Sequence, residues 1–65
     1  MKSYSSKEVI KILEEHGWYL VNTTGSHHQF KHPWRSGRVT VKHPDKDIPR
    51  ITLKSIERQS GIKFE

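Results

Sequence analysis

Two adjacent imidazoles follow a turn in the run Gly25-Ser26-His27-His28-Gln29-Phe30, and these are the residues of the chain best suited to chemistry. Histidine is the side chain whose ordinary titration range lets it take up and release a proton near neutral pH. Placed beside a turn, it can serve as a general base or acid, a role that contributes about two to four powers of ten in rate. The other histidines invite different readings. His28 and His32 stand four apart, which suits metal ligation on a helix, but on a strand this spacing separates them by roughly 13 Å. With no cysteine in the chain and no acidic residue near the pair, neither a metal nor any other cofactor is expected. His16 falls near the end of a predicted helix, a capping or partly buried position. His43 can orient the His27 region, contact phosphate, or only end a strand.

The charge around these residues points to a polyanion. The formal net charge is +5, and it is uneven. Residues 1–30 sum to zero, whereas residues 31–50 carry Lys31, Arg35, Arg38, Lys42, Lys46 and Arg50 against Asp45 and Asp47. A cationic middle third is the electrostatic footprint of a nucleic-acid binder, or else a solvated basic loop and strand. With 65 residues, 31% of them apolar, no alanine and no cysteine, the core is thin and no disulfide reinforces it. No apolar run approaches the roughly 18 residues that span a bilayer, and the N-terminus lacks the apolar centre of a secretory signal. The expectation is a cytoplasmic protein without membrane contact.

The elements that must position these residues follow from local patterns. Ser5-Ser6-Lys7-Glu8 has the form of a capping box, and Val9, Ile12, Leu13 and His16 recur at helical spacing, with Ile10 widening the stripe and Gly17 to close it. A first helix is predicted over 6–16. Trp18–Asn22 and His27–His32 read as strands flanking the Thr23-Thr24-Gly25-Ser26 turn, and 38–42 alternates as a half-buried third strand after Pro33-Trp34-Arg35-Ser36-Gly37. Pro44 and Pro49 make 43–50 a loop. Thr52 then caps a second helix with Leu53 and Ile56 facing inward and Gly61 at its end, after which Ile62 and Phe64 fold back onto the sheet edge. The result is a single domain over residues 1–65, α+β in class, a two-layer α-β-β-β-α arrangement with both helices on one sheet face.

Gly17-Trp18, Gly25-Ser26-His27, Val39-Thr40-Val41, His43-Pro44, Thr52-Leu53-Lys54-Ser55-Ile56 and Gly61-Ile62, taken in order, resemble the HicA family of bacterial and archaeal toxins. The resemblance implies a double-stranded-RNA-binding-domain-like fold. It further implies a metal-independent endoribonuclease that cleaves mRNA and is neutralised by a HicB-like antitoxin. The family's essential histidine follows a glycine and a small residue, here Gly25 and Ser26, and so maps onto His27. Many members place proline before the second histidine of the family pattern, where this chain has Lys42 before His43. The chain also lacks the lysine-rich start of helix two found in true duplex binders, so duplex binding alone is not implied.

Metal-free RNA cleavage needs a proton taken from the ribose 2′-hydroxyl, one given to the leaving 5′-oxygen, and compensation of charge on phosphorus. His27 fits a proton role, while Lys31, Arg38 or Lys42 can offset phosphate charge and Ser26 or the turn amides can hold phosphate. Strand alternation supports the choice of His27. If Phe30 points to the core, His28 shares its face, and His27 shares the other with Gln29 and Lys31. Trp18 is expected to pack beneath the first helix, and Trp34 either contacts RNA or antitoxin or packs on its own hairpin. Two rivals to the enzyme are a non-catalytic RNA-binding module of the same fold and a domain whose basic strip contacts an acidic protein.

Overall fold

The computed structural model describes residues 3–64, and its elements run α1 (Ser6–Glu15), β1 (Tyr19–Thr24), β2 (His27–Lys31), β3 (Val39–Lys42) and α2 (Arg50–Ser60). The capping box is formed: Ser5 Oγ accepts from the Glu8 amide at 3.2 Å, and the Ser5 amide donates to Glu8 Oε1 at 2.9 Å. Two orphan amides at the start of α1 are thereby satisfied, which fixes where the helix begins. Its apolar stripe places Val9 and Leu13 in the core.

The three strands form an antiparallel meander in the order β1-β2-β3. Thr24 pairs with His27, so the β1–β2 connection is the two residues Gly25 and Ser26, with φ of +58° at Gly25. A glycine at the first central position suits the type II′ turn, whose twist matches that of its flanking strands. Phe30 lies opposite Val39, and His28 opposite Val41. Phe30, Val39 and Val41 are buried, so one face of β2 and β3 is the core face.

Both helices pack against β3 on this face, and Leu53 and Ile56 of α2 complete the core with Trp18, Ile48, Ile62 and Phe64. Every side chain of β1 is exposed, because the helical layer does not extend over that edge. The two-layer arrangement is therefore two strands wide on its covered side. A register shift between Leu20 and Asn22 leaves Val21 as the extra residue of a bulge.

Three features differ from the sequence-based expectation. Thr23 and Thr24, expected in the turn, belong to β1 and pair with His28 and His27. Helix α2 starts at Arg50 with Pro49 as its cap, and the expected Thr52 cap is not used. The Pro49 carbonyl accepts from the Leu53 amide at 2.9 Å, so Arg50 and Ile51 complete a first turn that proline, with its φ of −56°, can lead into without an N–H of its own. Ile62 and Phe64 are buried, and Phe64 rests its ring against Tyr4, with centroids 5.3 Å apart, where folding back onto the sheet edge was expected. The Phe64 amide also donates to Glu57 Oε2 at 2.7 Å, which ties the segment to α2.

Candidate functional site

The alternation of β2 sorts the two adjacent histidines onto opposite faces of the sheet. His27 is exposed and pairs directly with Lys42 of β3 and Thr24 of β1. Directly opposed residues have Cβ atoms about 4.5–5.5 Å apart, so the imidazole and the Lys42 ammonium share one patch. No hydrogen bond to a described residue holds the His27 ring, which leaves both nitrogens available to a ligand. Gln29, paired with Thr40, continues the same face and accepts a 2.6 Å hydrogen bond from Arg38 Nη1. Lys31, paired with Tyr19, lies further along it. His27, Lys31, Arg38 and Lys42 are thus gathered on the open face, although their positions in the sequence span two strands and a loop.

This face has a simple electrostatic character. Positions 16–44, which include all three strands and both connections, contain no Asp or Glu, while all five histidines lie among them. An approaching anion meets Lys31, Arg38 and Lys42 with no acidic side chain on the strands to oppose them, and attraction of this kind raises the encounter rate.

His28 and His43 stand on the other face, at the end of the sheet nearest the start of α1. Their rings meet edge to face, with centroids 5.1 Å apart. His28 Nδ1–H donates to the Ser26 carbonyl at 3.3 Å, and the His43 amide donates to the same carbonyl at 2.7 Å. The His43 ring is fixed from behind by Ser6, a residue only 1% exposed, whose Oγ lies 2.7 Å from Nδ1. Ser6 Oγ also accepts from the Asp45 amide at 2.8 Å. Ser6 Oγ is thus shared between the Asp45 amide and the His43 ring, which it fixes in orientation. Ser26 is half-buried in the turn, its carbonyl committed to the two histidines.

The structure therefore separates His43 from the open-face group and joins it to His28. Sequence reading missed Ser6 and its link to the 43–48 loop. The only available signal was a second serine beside the one spent on the helix cap. No group of three or more His, Asp or Glu side chains with metal-binding geometry occurs among the described residues.

At the far end of β2 a second cluster forms. His32 Nε2–H donates to the His16 carbonyl at 2.9 Å, and its Nδ1 accepts from the Trp34 amide at 3.1 Å. Its ring lies 5.3 Å from that of buried Trp18 and 5.6 Å from that of Trp34. Gly17 makes room for this arrangement: its φ is +93°, and a Cβ there would lie 2.9 Å from His32 Nε2. Trp34 itself is 89% exposed, its ring meeting that of His32 at the start of the same connection.

A helix, three antiparallel strands and a second helix, with one sheet face covered and the other bearing an imidazole among cations, define a small α+β domain of the double-stranded-RNA-binding-domain-like class. The family model described as HicA toxin of bacterial toxin-antitoxin matches residues 6–62, and the chain belongs to that family. Membership makes it the toxin of a toxin-antitoxin system and implies a cognate antitoxin as its partner. Among curated proteins none matches the chain. No helix of the described residues is long and apolar enough to cross a membrane.

Proposed function

We propose that this toxin is an endoribonuclease that cleaves mRNA without a metal ion, with His27 as its proton-transfer residue. One observation carries the reading: His27 stands exposed and unheld on the open face, directly across from Lys42, on strands that carry no acidic side chain. In the reaction the ribose 2′-oxygen attacks phosphorus as His27 takes its proton, and the bond from phosphorus to the 5′-oxygen breaks. The products are a 2′,3′-cyclic phosphate and a 5′-hydroxyl, the leaving oxygen receiving its proton from water. Lys42, with Lys31 and Arg38 along the strand path, offsets the charge that builds on the phosphoryl oxygens. Ser26, in the turn just before His27, contributes a donor to the phosphate. His43 contributes its imidazole to phosphate contact at the rim, its ring held in orientation by Ser6.

Induced expression of the wild type and of His27→Ala in bacteria tests this directly. New mRNA 5′ ends and growth arrest are expected from the wild type alone, with cleavage by the variant reduced about 10²- to 10⁴-fold. Equal expression of two harmless proteins with intact mRNA would remove the enzyme and leave the RNA-binding module of the same fold.

A further inference from the structure

We infer that Trp34 is a stacking platform for an unpaired base of the RNA strand, a substrate subsite separate from His27. The inference rests on the RNA reading of the open face, and adds a contact that sets how a strand is held. Three observations support it together.

The first is exposure. An indole left 89% in water forgoes burial that would be worth a few kcal/mol, in a chain that has little apolar surface to spare. The second is support. The Trp34 amide is bonded to His32 Nδ1, the two rings are in contact, and His32 is held by the His16 carbonyl and the buried Trp18 ring. The Arg35 guanidinium of the same connection lies over Gly61 at the end of α2, where a Cβ would stand 2.8 Å from Nη2. The backbone beneath the exposed ring is therefore anchored before anything binds, which lowers the ordering cost of a contact. The third is charge. The connection carrying Trp34 lies within the acid-free positions 16–44, between Lys31 and Arg38.

An exposed aromatic face among cations is how proteins hold single-stranded nucleic acid, since every base offers a π-face and the backbone is drawn to positive charge. A connection that carries no acidic residue and lies between Lys31 and Arg38 favours an anionic strand over an apolar protein segment. His32 shares the parity of Phe30 and stands with Trp18 on the helix side, so Trp34 lies around the end of β2 from the open face. From His27 to His32 is five residues of extended chain, roughly 17 Å. A phosphate near His27 and a base on Trp34 are then joined by a few nucleotides that pass Lys31 and turn around the end of the sheet.

The test uses the full chain and a short, fluorescently labelled 2′-O-methyl RNA, which binds but has no free 2′-hydroxyl to react. Trp34→Ala is expected to weaken binding about 5- to 100-fold, while Trp34→Phe keeps most of the affinity because a ring remains. The exposed position lets both variants fold, which their thermal melts will verify. Wild-type indole emission should also change on binding, and this change should be absent in Trp34→Ala, since Trp18 is buried. Wild-type affinity retained in Trp34→Ala would overturn the subsite alone, as would a variant that binds RNA normally but loses its antitoxin. If the wild type itself neither binds this RNA nor cleaves its unmodified counterpart, the RNA reading of the open face fails first and takes the subsite with it.

Discussion

His27 and His28 are neighbours with different surroundings, and the difference is set by which way a strand residue points. The alternation anchored on Phe30 was legible in the sequence, because a buried phenylalanine at 30 places 28 on its own face and 27 on the other. A bulge at the turn would have reversed the assignment, but the irregularity falls at Val21, on the partner strand. What could not be read was the support of the His28 and His43 rings, since their hydrogen bonds to the Ser26 carbonyl and to Ser6 Oγ depend on loop geometry. The open-face lysines lend themselves to a clean test at this scale. Lys42→Ala removes one cation that would sit on phosphate without touching the core. Its expected effect is weaker RNA binding at low salt and a plot of log affinity against log salt shallower by about 0.7 for each phosphate that is no longer neutralised. An unchanged slope, read by titrations at several salt concentrations, would place Lys42 away from the backbone path.

At the scale of the elements, the first helix does more than cover the sheet. Its opening residues hold the loop that follows β3: the Ser6 amide donates to the Asp45 carbonyl at 2.8 Å, and the Ile48 amide donates to the Tyr4 carbonyl at 2.9 Å. Ser6→Ala leaves the Asp45 amide and His43 Nδ1 without their partner, at a cost of about 1–3 kcal/mol. A urea titration should show that loss, whereas Ser55→Ala, at a half-buried position on α2 whose hydroxyl takes one bond from exposed Arg58, should lie close to the wild type. Gly17 is the second joint. A side chain there would meet both a φ of +93° and the His32 ring, so Gly17→Ala is expected to cost about 1–2 kcal/mol from the backbone alone. It should also shift Trp34 fluorescence, because His32 supports that indole. The helices were readable from capping and periodicity. The start of α2 was not, since Pro49 ends a loop in sequence terms yet supplies the carbonyl that begins the helix.

The whole molecule is an asymmetric object, with its core under β2 and β3 and an uncovered edge at β1. Below about 70–80 residues a single core rarely supplies more than about 3–5 kcal/mol, so this chain cannot lose a central ring. Phe30 is 1% exposed on β2, between Leu20 and Val39. Phe30→Ala, at about 3–5 kcal/mol, removes nearly all of the stability and should leave the chain unfolded at room temperature. Leu20, its partner on β1, points to the same face of the sheet and is 48% exposed because no helix reaches it. Leu20→Thr introduces a β-branched residue that suits a strand, and the expected change is within about 0.5 kcal/mol. For a domain of this size about 1 kcal/mol moves the melting temperature by about 4–8 °C, so the two variants should separate without ambiguity in a thermal melt. Two cross-strand neighbours on one face would then differ by most of the folding free energy, solely because the helical layer stops between them. A Leu20→Thr melt as damaged as that of Phe30→Ala would mean that something covers β1 in the free protein, and the open edge would have to be redrawn as an interface.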